Sequence, residues 1–159
     1  MNDQEYDYLT RAVELAEEAL NAGDEPFGSL LVNAQGEVLA EDRNRIAGGD
    51  ATQHPEFALA RWAAQHMPPE ARAAATVYTS GEHCPMCAAA HGWVGLGRIV
   101  YASSSEQLTG WLAALGVGPM PVATLPIQQV VPGLKVEGPV AVLDEKVHAL
   151  HQRRHRQPS

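Results

Sequence analysis

Apolar residues fall at Leu9, Ala12, Val13, Ala16, Ala19 and Leu20, the i, i+3, i+4 spacing that keeps one face of a helix buried. That spacing predicts an amphipathic helix over 6–20, ended at Asn21-Ala22-Gly23-Asp24 with glycine as its C-terminal cap. Ser29-Leu30-Leu31-Val32 and Glu37-Val38-Leu39-Ala40-Glu41, joined through Asn33-Ala34-Gln35-Gly36, predict a hairpin. A flexible loop over 46–52 leads to a second helix from residue 55, carrying Phe57, Leu59, Ala60, Trp62 and Ala63, until Met67-Pro68-Pro69 stops it. Strands are expected at 76–80 and 98–102, with a small-residue helix through 88–94 between them. The glycine- and proline-rich stretch 110–132 reads as a lid or an interface, with Trp111 and Leu115 on a short helical face. A last strand over 130–137 should run parallel to its predecessor, because the connection is long enough for a crossover. A final helix over 140–154 sets Val140, Leu143, Val147 and Leu150 on one face. Together these elements predict an α/β fold, a three-layer α/β/α sandwich around a mixed five-stranded sheet, in a single domain over 1–159.

Two short motifs carry the chemistry. The first is Thr52-Gln53-His54-Pro55-Glu56-Phe57, and the second is Gly81-Glu82-His83-Cys84-Pro85-Met86-Cys87-Ala88. Two cysteines three positions apart at the first turn of a helix can aim both sulfurs at one ion, and the helix N-terminus favours their thiolate form. Pro85 suits that first turn, because its fixed φ is preorganised and its missing donor would be unpaired anyway. His54, Cys84 and Cys87 make a three-ligand zinc site, which leaves a fourth position open as in catalytic zinc centres. His83 sits too close along the backbone to Cys84 to ligate comfortably beside it. Glu56, two residues after His54, can face the same cavity without binding metal and carry a proton between water and a leaving amine.

H-x-E followed by C-x-x-C is the pattern of zinc nucleobase deaminases, and the chain resembles the cytidine deaminase superfamily, in the branch with guanine deaminases, cytosine deaminases and tRNA adenosine deaminases. That family usually has proline before the first cysteine and alanine between histidine and glutamate, where this sequence has His83 and Pro55. The resemblance implies Zn2+ on His54, Cys84 and Cys87, Glu56 as the proton carrier, and a homodimer. It also implies substrate contacts from Phe27, Gly28 and Asn44, with backbone approach permitted at the glycine and an amide for a heterocycle edge. By the same resemblance Glu106, at the carboxyl end of the fourth strand, pairs with ring N–H or amino groups. Ordinary structural duties explain the same letters: a core Phe27, a turn-capping Asn44, and Glu106 in a helix first turn behind a serine cap. His91 reads as a satisfied polar contact or an interface contact.

Charge narrows the substrate. The formal net charge is −8, which disfavours a polyanionic partner and makes a small heterocyclic amine the expected substrate. A tRNA adenosine deaminase is the alternative within enzymes. The basic tail His151-Gln152-Arg153-Arg154-His155-Arg156 reads as a solvated helix end complementing the macrodipole, with contact to RNA phosphates as the other reading. Hydrophobic residues make up 45% of the chain, which excludes wholesale disorder. The start Met1-Asn2-Asp3-Gln4-Glu5 has no basic and then apolar run, and no stretch reaches membrane-spanning length, so a cytoplasmic location is expected. The chain has two cysteines, so close together that they suit metal better than a structural disulfide. Two readings of another class remain, a structural-zinc interaction module closed by His83 or Glu56, and a dithiol redox protein using Cys84 and Cys87.

Overall fold

A computed structural model describes residues 1–156. In chain order the helices are α1 (Asp3–Asn21), α2 (Pro55–His66), α3 (Pro69–Ala73), α4 (Pro85–Trp93), α5 (Ser105–Ala114), α6 (Ile127–Val130) and α7 (Leu143–His155). The strands are β1 (Gly28–Val32), β2 (Val38–Arg43), β3 (Thr76–Gly81), β4 (Ile99–Ser103) and β5 (Val136–Glu137), arranged in the order β2-β1-β3-β4-β5. β1 runs antiparallel to β2 and β3, whereas β3–β4 and β4–β5 are parallel, so the sheet is mixed as expected.

Side chains alternate across a strand, and the core follows that alternation. Leu30, Val32, Tyr78, Val100 and Ala102 pack with Leu9, Ala12 and Val13 of α1 and with Leu143 and Val147 of α7. Leu31 and Val77 turn the other way, onto Leu59, Ala60 and Ala63 of α2, while Ile99 meets Ala88 of α4 and Ile127 of α6. Both faces of the sheet are therefore covered, which makes the three layers. No helix among the described residues is long and apolar enough to cross a membrane.

Three boundaries differ from those expected. Residues 130–137 are not one strand: Val130 ends α6, Gly133 turns the chain at φ +83°, and only Val136–Glu137 pair with β4. Pro132 helps break that run by removing a ladder donor. The last helix starts at Leu143, because Pro139 and Val142, at φ +72°, interrupt helical geometry before it. The double proline after α2 also starts a helix, with Pro69 at the first position of α3. The stretch after 110 completes α5 before it loops.

Candidate active site

The ends of β1, β2, β3 and β4 gather the polar residues beside the N-termini of α2 and α4. His54 is the N-cap of α2 and Cys84 that of α4, and each is followed by proline at the first helical position. Both helices thus start with a preorganised turn and direct their positive ends at one point. There His54 Nδ1 lies 3.6 Å from Cys84 Sγ and 3.5 Å from Cys87 Sγ, and the two sulfurs are 3.5 Å apart. A tetrahedral zinc with bonds of about 2.3 Å to sulfur and about 2.0 Å to nitrogen needs ligand separations of roughly 3.5–3.8 Å. The three ligands fit that ion, and they form the metal-compatible group among the described residues.

Their ionisation shows the same fit. The Cys84 thiol is pulled down to about 4, first by the hydrogen bond from the Cys87 thiol, against burial, and then by His54. Cys87 is pushed up, chiefly because its proton is held by that bond, and then by burial and the nearby Glu56 and Cys84 charges. His54 is raised by its bond to Cys84. Two thiols side by side, Cys87 buried and Cys84 half-buried, can share one negative charge but not easily carry two. A divalent cation removes that conflict, since zinc takes both as thiolates.

Glu56, in the first turn of α2, is 6% exposed. Burial, followed by the Cys84 charge, raises its carboxyl to about 7. Ser29 Oγ on β1 lies 3.4 Å from Glu56 Oε1 and 2.8 Å from Thr79 Oγ1, and Thr79 Oγ1 in turn donates to Gly81 O at 3.0 Å. Ser29 and Thr79 belong to neither motif and are not among the residues expected from the sequence. Ser29 has one sequence signal, as the hydroxyl residue in an otherwise apolar strand, whereas Thr79 sits among other hydroxyl residues of β3.

The other expected site residues divide. Asn44 is buried: its backbone N–H donates to Phe27 O at 3.0 Å, and its Oδ1 accepts from Ile46 N at 3.1 Å. The turn-capping duty is therefore real, and no described residue accepts from its Nδ2. Phe27 packs its ring on Gly81, 3.3 Å from where a Cβ would stand, and edge-on against His151. Gly28 is demanded from the opposite side, because a Cβ there would lie 2.4 Å from Leu15 Cβ and 2.5 Å from Ala12 O of α1. Its missing side chain serves helix packing.

Glu106 is exposed in the first turn of α5, behind a capping box made by Ser104 and Gln107. It lines a cleft of about 520 Å³ with Glu82, Tyr101, Ser105, Thr109 and Gln128, and none of His54, Glu56, Cys84 or Cys87 lines it. Glu82, missed in the sequence, bonds both lips of that cleft, accepting from Ser105 N and Ile127 N at 2.9 Å each. His91 is buried and bonded through Nε2 to Gly97 O at 2.7 Å, a satisfied contact. His83 is fully buried, neither of its ring nitrogens has a hydrogen-bond partner among the described residues, and its ring stands edge-to-face with His91 at 5.3 Å. The basic tail is not a solvated end throughout: His151 is 3% exposed, Arg153 bonds Glu17 and Asn21, and Arg154 bonds Gly23 O.

An α/β/α sandwich with a His/Cys/Cys cluster and a buried glutamate at two helix N-termini defines a class of zinc-site domain. Residues 2–103 match the family described as the cytidine and deoxycytidylate deaminase zinc-binding region, and the chain belongs to that family. It is 31% identical over 108 residues to a probable cytosine deaminase of Schizosaccharomyces pombe, covering 68% of this chain and 65% of the relative. It is 37% identical over 98 residues to guanine deaminase of Bacillus subtilis, covering 60% of this chain and 62% of that one. The matched region thus spans less than two thirds of either relative's length. The structure of guanine deaminase from Nitrosomonas europaea superposes with a TM-score of 0.68 at 21% identity, over 93% of this chain and 82% of that one, a likeness of fold.

Proposed function

We propose that this chain is a zinc-dependent hydrolytic deaminase of a small, free aminated heterocycle of cytosine, isocytosine, guanine or aminotriazine type, releasing ammonia. The observation that carries this reading is the compact His54/Cys84/Cys87 triangle with the buried Glu56 carboxyl in the same helix turn as His54. The relatives named for cytosine and guanine support the substrate class, and so does the net charge of −8.

Bound zinc supplies a Lewis acid that lowers the pKa of water from about 15.7 towards roughly 7. Glu56 accepts the proton from the attacking water and gives it to a ring nitrogen, then takes the second proton from the newly added hydroxyl and delivers it to the departing amine. The C–O bond forms first, and the exocyclic C–N bond breaks in the second stage as the added hydroxyl becomes a carbonyl, so the amine leaves as ammonia. Water-poor surroundings suit this exchange, because the carboxyl is buried and the Ser29 hydroxyl beside it holds its orientation. Phe27 supplies an aromatic wall, Gly28 its backbone and Asn44 its amide nitrogen to the base.

The test is ammonia release by zinc-loaded protein from free bases, their nucleosides and aminotriazines, beside Glu56→Gln. One free base should turn over, and Glu56→Gln should lower kcat by about 10²–10⁴ with zinc content unchanged. Stoichiometric zinc with every small molecule inert would overturn the reading, and turnover of folded tRNA in its place would shift the substrate to RNA adenosine.

A further inference from the structure

We infer that His151, on the C-terminal helix, is a specificity-determining contact of the site, whose imidazole hydrogen-bonds a polar edge of the heterocycle away from the departing amine. This rests on the deaminase reading.

The ring is 3% exposed, yet no described residue hydrogen-bonds it. Its nitrogens are not sealed in either, for among the described side chains only those of His83 are both buried and unpartnered. The residual opening of His151 therefore lies at its polar atoms. The ring borders the wall already assigned to the base: His151 stands edge-on to Phe27, with ring centres 5.2 Å apart and planes at 63°. Phe27 in turn covers Gly81, three residues before Cys84, and its carbonyl accepts from Asn44.

The helix is held so that this imidazole has little freedom. Leu143, Val147 and Leu150 are in the core, Arg153 bonds Glu17 and Asn21, and Trp111 lies 6.1 Å from His151 while stacking on His148 at 4.5 Å. Burial, then the His155 and His148 charges, lowers His151 to about 4, so near neutral pH it carries one donor and one acceptor. Purine and pyrimidine edges present adjacent donors and acceptors, which such a ring can read. A site that bonds a substrate's polar group rejects an analogue lacking it, because the group is then left unpaired.

The experiment measures kcat and KM of the zinc-loaded enzyme on the base it turns over, and on an analogue lacking the remote polar group. His151→Phe, His151→Gln and His148→Gln are compared with the parent, together with thermal midpoints. His151→Phe should raise KM about tenfold with kcat within about threefold, and should erase the preference for base over analogue. His151→Gln, which keeps a donor and an acceptor, should recover much of both, and His148→Gln should change neither. The midpoint of His151→Phe should hold or rise, because hydrocarbon replaces an unbonded imidazole. A lowered midpoint with unmoved KM and selectivity would mark a packing residue and overturn the assignment. Should His151→Phe fail to fold, the smaller apolar His151→Leu decides: selectivity equal to that of the parent enzyme overturns the assignment, and reduced selectivity supports it. A parent enzyme inert towards every heterocycle would overturn the deaminase reading and the assignment with it, whereas an active parent with KM unmoved in the apolar variant overturns the assignment alone.

Discussion

Asp24 illustrates how single side chains support the site from outside it. Its buried carboxylate accepts from Arg43 at 2.7 Å and from the Ala47 backbone at 2.8 Å, and Arg43 also donates to Asn44 O at 3.0 Å. Burial pushes the Asp24 carboxyl up, but the Ala47 and Arg43 bonds outweigh it and leave it lowered. The unfolded chain therefore binds a proton here more readily than the native one. Stability from Asp24 is complete above the unfolded value of about 3.9 and is lost as pH falls through the lower native value. Asp24→Asn should cost about 2–4 kcal/mol at neutral pH in urea unfolding, because Arg43 loses its buried counter-charge. The same variant should show a flatter loss of stability below about pH 4 than the parent. A parent-like acid limb in the variant would remove Asp24 from this role.

At the level of elements, the contact of α1 with β1 fixes where the site's first strand lies. A methyl at Gly28 would meet Leu15 Cβ at 2.4 Å and backbone of Ala12 and Ala16 at 2.5 and 2.6 Å, so neither partner can yield by a rotamer change. Gly28→Ala should destabilise by about 2–3 kcal/mol in the same assay. It should also lower kcat, because β1 carries Ser29 to Glu56. Unchanged stability would show that α1 can lift off the strand freely. Helix α1 was legible because its apolar period is long and regular. β5 was legible as a last strand parallel to β4 but not in its bounds, since two paired residues give no period and its position is set by β4 and by the turn at Gly133. α3 was hidden because proline both stops one helix and starts the next.

Across the whole molecule, the metal cluster joins α2 to α4, whereas the apolar clusters on both faces of the sheet do not include its ligands. Chelation should therefore lower the thermal midpoint by several degrees without abolishing cooperative unfolding, and added zinc should restore it. Stabilisation of about 4 kcal/mol is expected with free zinc at about 1,000 times its Kd. Loss of the cooperative transition on chelation would favour the structural-zinc module instead. The −8 charge acts at this scale too, since it opposes a polyanion wherever it docks.

The sequence by itself determined the donor types, their spacing, the two proline-started helices and the mixed sheet, because those depend on residue identity and on local periods. His54, Glu56, Cys84 and Cys87 were legible for that reason. Tertiary structure alone decided that Gly28 serves α1, that Glu82 ties α5 to α6, that His83 is sealed without a hydrogen-bond partner among the described residues, and that His151 leaves the surface for Phe27. Each of those facts depends on a contact between residues from separate elements, and no local pattern encodes which distant surface a side chain will meet.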